Sequence, residues 1–215
     1  MEQSSEHGID VIGDLHGHSR LFLRMLELLG YQADGDSFTH PLGRRILLVG
    51  DLINRGPDSI GVLETARRLH ENGTALIILG NHEFRLIQRS VAQKPLDDER
   101  FNRYLPWIRT LPLFLETATL RSVHAAWHYS SIQVLKESQA NDDSFVQRTL
   151  DKETAERKAV QNILSGIKVR LPLDPILRDR FDVPREKGRV KWILSFARSA
   201  KLEGIGKDGT QKSRW

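Results

Sequence analysis

Four short clusters bring together side chains that ligate metals: Gly13-Asp14-Leu15-His16-Gly17, Gly50-Asp51-Leu52-Ile53-Asn54-Arg55-Gly56, Gly80-Asn81-His82-Glu83 and His124-Ala125-Ala126-Trp127. Carboxylate, imidazole and amide donors in one set suit manganese, iron or zinc rather than copper. Each cluster alone is a weak signal. An Asp at a strand end is more often a helix cap than a ligand, and a lone histidine is more often a packed or surface side chain. The signal is their recurrence behind the same local pattern, an apolar run followed by glycine.

That pattern says which elements must hold them. Ile9–Ile12, Arg45–Val49 and Ala75–Leu79 read as buried strands, each ending at a glycine. Between them, apolar residues at helical spacing (Leu21, Phe22, Met25, Leu26, Leu28, Leu29) predict a helix over 19–29 with Gly30 as its stop. Pro57-Asp58-Ser59 opens a second helix, closed by Asn72-Gly73. A third is expected from Glu83. Strands alternating with helices predict an α/β fold with a largely parallel sheet, whose carboxyl ends gather the clusters at one edge. Residues 95–112 read as a helical excursion around Phe101, Tyr104, Trp107 and Ile108. Leu113–Glu116 and Leu120–His124 read as a hairpin, and 139–165 as helical. Residues 167–193 read as irregular and β-rich.

Composition narrows the function classes. The 215 residues can bury a sizeable core, and 39% are apolar and 28% charged. There are no cysteines, which excludes disulfides, thiolate metal sites and a cysteine nucleophile. The polar start Met1–Glu6 has no apolar h-region, and no apolar run approaches membrane-spanning length; a cytoplasmic protein without a membrane partner is expected. Residues 185–215 hold nine of the 32 bases and three of the 28 acids. The basic excess therefore sits at the C-terminal end, where 201–215 read as a disordered polar tail after a domain over 1–200. With no base-reading motif beside it, the tail makes nucleic acid an unlikely partner.

The four clusters, with Arg55 and Gly56 following Asp51, resemble the calcineurin-like metallophosphoesterases, most closely their bacterial phosphoprotein-phosphatase-type branch. The resemblance is specific over residues 8–130 and looser through Arg189-Val190-Lys191-Trp192. It implies a β-sandwich flanked by helices, with two divalent ions at the strand ends, manganese foremost and iron or zinc as alternatives. It implies hydrolysis of phosphate esters, on phosphoserine/phosphothreonine proteins or dinucleotide polyphosphates, through a bridging hydroxide between paired metals. By similarity Asp14 and His16 hold one metal, Asp51 bridges both, and Asn81 and His124 hold the second. Arg55 grips the phosphate oxygens and His82 protonates the leaving oxygen. Glu83 reads as a first-turn helix acid and no more.

Two departures from the family pattern stand out. Where the family has a second Asp after the bridging one, this chain has Asn54. It still orients His82 but carries no charge; a comparable change in the serine-protease triad costs about 10⁴-fold, a ceiling here. The family's late Gly-His motif is also absent, since no histidine follows His128. The second metal site is therefore expected to be weak unless His128, a carboxylate or water completes it. The C-terminal part of the family fold is expected to be missing, through truncation or a frameshift. The leading expectation is an active phosphoesterase; the alternative is a degenerate member with little or no turnover. His18, His40 and His70 are expected at the surface, His128 on a loop or helix surface, and Trp107 and Trp127 in the core.

Overall fold

The computed structural model describes residues 8–171, 176–178 and 182–189. The chain runs β1 (Ile9–Ile12), α1 (Ser19–Leu28), β2 (Gln32–Asp34), β3 (Ser37–Thr39), β4 (Arg45–Leu48), α2 (Ser59–Glu71), β5 (Ala75–Ile77) and α3 (Asn81–Val91). After a 3-10 turn at Glu99–Arg103 come α4 (Leu105–Ile108), β6 (Phe114–Glu116), β7 (Arg121–Val123), α5 (Tyr129–Leu135), α6 (Asp143–Arg148) and α7 (Ala155–Ser165), then β8 (Lys168–Arg170) and β9 (Lys187–Arg189). Two compact units divide at residue 165, one spanning Met1–Ser165 and the other Gly166–Trp215.

The first unit is built on a three-stranded parallel sheet in the order β1-β4-β5. Its register pairs Ile9 with Arg45, Ile12 with Leu48, and Ile46 with Ala75. Parallel neighbours need crossover connections, and α1 and α2 supply them. Each helix follows from its sequence. α1 buries Phe22 and Leu26, four residues apart on one face, and Gly30 beyond its end takes φ +87°, a left-handed stop. α2 is capped by Asp58, whose carboxylate accepts from the Gly61 amide at 2.8 Å, and it buries Val62, Leu63, Ala66 and Leu69. In α3, Phe84 meets Phe145 of α6 with ring centroids 6.2 Å apart. Each such buried side chain contributes about 1.5–3 kcal/mol relative to exposure.

The expected strands and helices around the sheet form within a residue or two of their predicted ends. Phe101, Tyr104, Trp107 and Ile108 are all buried, and the hairpin forms as β6 with β7, pairing Phe114 with Val123. Other segments differ. The β2–β3 hairpin and α5 were not anticipated. The helical stretch over 139–165 is two helices, because Leu150–Thr154 turns on side-chain contacts: Thr154 Oγ1 donates to the carbonyls of Arg148 and Asp151, and the Glu153 amide donates to Asp151. His18 is exposed as expected, but His40 and His70 are not free surface residues. His40 bridges the Leu29 carbonyl and the Leu42 amide, and His70 accepts from Trp107 Nε1 at 3.2 Å.

In the second unit, β8 pairs antiparallel with β9 and Arg178 bridges to Pro184. The basic tail over 201–215 lies outside the described residues. No helix among the described residues is long and apolar enough to cross a membrane.

Candidate metal centre

Because β1, β4 and β5 run parallel, the loops leaving them emerge at one edge. The first two loops are laced together by backbone. The Leu15 and His16 amides donate to the Asp51 carbonyl at 3.1 and 2.8 Å, and Gly17 donates to Leu52 at 2.8 Å. In return the Gly56 amide donates to His16 at 2.7 Å. The third loop joins through close approach: a Cβ on Gly50 would collide with the Gly80 backbone, and one on Gly80 with Asp51.

This lacing forces unusual backbone. His16, Asp51, Asn54 and Arg55 take φ of 42°, 55°, 70° and 68°. These four are most of the non-glycine residues with positive φ among those described. Such conformations cost of order 1–3 kcal/mol each and persist only where the surroundings over-determine them.

Glu83 supplies much of that determination, which corrects its reading as a plain helix acid. It is fully buried. Its Oε1 accepts from the Leu52 and Ile53 amides at 2.8 and 3.2 Å, and its Oε2 from Asp51 and Gly80 at 2.8 and 3.0 Å. Burial and the nearby Asp51 charge push its pKa up, against the pull of the amides. The spacing Gly80-x-x-Glu83, a capping-box interval, was the available sequence signal.

Asp51 lies at the middle and is 3% exposed. Its Oδ2 is 3.7 Å from His16 Nε2 and 3.9 Å from His82 Nε2, while its Oδ1 is 3.5 Å from His124 Nε2 and accepts from the His82 amide at 3.1 Å. Burial alone would raise its pKa; the His124 and His82 contacts and charges outweigh that and hold it below the usual carboxylate range.

The histidines are oriented by their second nitrogens. His16 Nδ1 donates to the Ile53 carbonyl at 3.3 Å, so Nε2 presents a lone pair. That Nε2 is buried without a hydrogen-bond partner, 3.4 Å from the half-exposed Asp14 carboxylate. His124 Nδ1 donates to the Val49 carbonyl at 2.7 Å, which again frees Nε2. Burial pushes His124 down, but Asp51 overrides this and raises its pKa. The Asn81 amide oxygen faces His124 Nε2 and the Leu164 carbonyl, all acceptors; a half-turn of the amide would make hydrogen bonds of 3.3 Å to both. At His16, a buried lone pair facing two carboxylates without a hydrogen-bond partner is what a cation relieves.

The donor set therefore fits divalent ions. Within 4.8 Å of one another lie ligand atoms of Asp14, Asp51 and His124, and of His16, Asp51 and His82. His82, expected as the proton donor, lies among the ligand atoms themselves. Its Nδ1 meets Asn54 Nδ2 at 2.8 Å, and burial, His16, Arg55 and Arg85 lower its pKa against the raising effect of Asp51. Arg55 is exposed beside it. His128 is not assembled with the ligands: its Nδ1 caps α5, bonded to Ser131 Oγ at 2.7 Å. Trp127 is half-buried, edge-on to Phe114.

A model of the calcineurin-like phosphoesterases matches residues 8–196, and the chain belongs to that family. Among curated proteins it is similar to the symmetrical bis(5'-nucleosyl)-tetraphosphatase of Nitrosomonas europaea, 34% identical over 138 residues that cover 58% of this chain and 48% of that protein. The enzyme of the same name from Nitrosospira multiformis is 32% identical, covering 59% and 48%. The asymmetrical bis(5'-nucleosyl)-tetraphosphatase PrpE of Anoxybacillus flavithermus is 41% identical over 73 residues, covering 34% and 30%. The chain spans about half the length of the longer-matching relatives and less of the third.

Proposed function

We propose that this chain hydrolyses phosphate esters and anhydrides with two divalent ions, manganese foremost, and that its substrates are dinucleotide polyphosphates. The observation that carries the reading is His16 Nε2: a buried lone pair without a partner, facing the carboxylates of Asp14 and Asp51. The names of the relatives support the substrate class. Asp14, His16 and Asp51 would hold one ion, and Asp51, Asn81 and His124 the other. When bound, such ions neutralise phosphate charge and provide a nucleophilic water near neutral pH.

The chain's own residues do the rest. Arg55 is exposed at the rim, where its fork grips phosphate oxygens. His82 presents Nε2 toward the centre for proton transfer to the leaving oxygen. Asn54 fixes the ring through Nδ1: with its amide nitrogen donating, the proton of the neutral ring sits on Nε2. Glu83 acts as a positioning residue, holding the Asp51 loop by its amides. A second reading, a member with little turnover, is favoured by Asn54, whose neutral amide does not stabilise an imidazolium as a carboxylate does.

The test is hydrolysis of p-nitrophenyl phosphate by metal-stripped protein with added manganese, beside Asp51→Asn. Manganese-dependent turnover lost in the variant supports the enzyme. Folded protein without turnover selects the second reading.

A further inference from the structure

A groove of about 470 Å³ lies between α3 and α7, and it shares Asn81 with the metal centre. None of the chemistry above uses its other walls. Asn81, Arg85 and Gln88 recur at i, i+4 and i+7 on α3, and Arg157, Gln161 and Leu164 recur at the same interval on α7. Each set is therefore one helical face. No acidic residue lines the groove.

The two arginines differ from their neighbours. Arg89, one turn beyond Arg85, pairs with Asp97 at 3.2 Å. Arg148 pairs with Glu156, the residue next to Arg157, at 2.7 Å. The guanidinium groups of Arg85 and Arg157 have no ion pair or hydrogen bond among the described residues, although Glu156 is adjacent in sequence. Guanidinium stays charged at any physiological pH and offers five donors in a fork that matches phosphate oxygens. Two such forks in one concave, acid-free groove form an anion site.

Its position sets which anion. Arg85 stands four residues beyond Asn81 on α3, about 6 Å along the axis. A single phosphate seated between the metal ligands and Arg55 does not extend that far. A substrate with further phosphates in line does.

We propose that the groove between α3 and α7 binds the continuing phosphates of an oligophosphate chain, with Arg85 and Arg157 as the residues that select a chain over a monoester. This rests on the proposed hydrolysis only for its role in turnover; the binding itself is measurable separately. Arg85 follows His82 by three residues on α3 and so neighbours it on the helix surface, which makes Arg157 the cleaner probe of the groove.

The experiment titrates inorganic tripolyphosphate, orthophosphate and bis(5'-adenosyl) tetraphosphate into metal-free protein by calorimetry, for wild type, Arg157→Ala and Arg85→Ala/Arg157→Ala. Both sites are on helix surfaces, and circular dichroism checks that the variants fold. The expected result is tripolyphosphate binding tighter than orthophosphate in wild type, weakened at least tenfold in the double variant, with orthophosphate changed less than twofold. The tetraphosphate weakens in parallel if the chain is what is read. In turnover, Arg157→Ala should leave KM and kcat for p-nitrophenyl phosphate within twofold. Equal weakening of orthophosphate and tripolyphosphate overturns the proposal, as does no weakening of either. Loss confined to the nucleotide also overturns it, since the groove would then read the nucleoside. If wild type fails to turn over p-nitrophenyl phosphate yet keeps the arginine-dependent preference, the hydrolysis reading falls and the groove stands.

Discussion

The two sides of the metal centre are built in different ways. The Asp14–His16–Asp51 side comes from adjacent parallel strands, and backbone hydrogen bonds from Leu15, His16 and Gly17 lock its loops to one another, with Glu83 beneath them. The Asn81–His124 side joins the start of α3 to the loop after β7, on a separate antiparallel pair. The start of α3 is itself tied to the Asp51 loop through Glu83 and the His82 amide. The His124 segment has fewer ties: His124 to the Val49 carbonyl, and the Ala125 and Ala126 amides to the Ile163 carbonyl at 2.9 and 3.3 Å. The contrast teaches that a shared sheet edge preorganises the first side and also delivers Asn81, while the second side is completed only when the His124 segment docks from a separate strand pair. The first should hold its ion more tightly.

The largest effect tests what the sides share. Asp51→Asn should release both ions and lower p-nitrophenyl phosphate turnover by about 10³-fold, about 4 kcal/mol of transition-state stabilisation. Elemental analysis beside turnover checks it, and two retained ions would show that Asp51 does not bridge. Next, Glu83→Gln removes the charge that holds three consecutive amides of the first side. Metal affinity should fall about 10–100-fold with a clear drop in Tm; unchanged affinity would mean that the loop holds its shape without the carboxylate.

The two sides can then be separated. His124→Ala should leave one tight ion and lose the other, whereas His16→Ala should weaken the tight one; titration with manganese reads both. Loss of both ions in His124→Ala would break the comparison. A smaller gain is expected from Asn54→Asp. The carboxylate should raise the His82 pKa from its lowered position and increase turnover about tenfold, far below the 10⁴-fold triad ceiling, with the His82 limb of the pH–rate profile moving to higher pH.

The smallest effect is a control at neither side. Asp10 accepts from Tyr31 at 2.9 Å and pairs with Arg44, and the Arg44 bond holds its pKa below the usual range. A carboxyl depressed in the folded state stabilises above its unfolded pKa, near 3.9, and loses that contribution as pH falls through the folded value. Asp10→Asn should lower Tm slightly at neutral pH, and the difference should vanish in acid while metal content stays unchanged.

Much of the first side was legible because a strand that ends at glycine advertises where its loop emerges. Asp14, His16 and Asp51 sit one to three residues past such a point, as does Asn81 of the second side, and parallel order brings them to one edge. His124 was legible only as a histidine after a strand; that its ring reaches Asp51 depends on docking between sheets, which no local pattern encodes. Glu83 escaped because a first-turn acid is common on helices, and burial is invisible in composition. The β2–β3 hairpin had a local sign, the two-residue turn Gly35-Asp36 between short strands, whereas the break between α6 and α7 rests on hydrogen bonds of Thr154 with no strong breaker in the sequence. The groove arginines could be spotted as residues, but their lack of partners is a property of the folded surface.

The long spans closed at this centre have a consequence for how the chain comes together. The His16–Ile53 contact joins residues 37 apart, and His124–Val49 residues 75 apart. Loop-closure entropy rises only slowly with such lengths, but it must be met before any ion finds its ligands. A cation bound there acts as a pin through several loops at once. It rewards only chains that have already closed them, and by mass action it raises the unfolding temperature as its concentration rises. Manganese-dependent melting would therefore report on the completeness of folding as well as on catalysis.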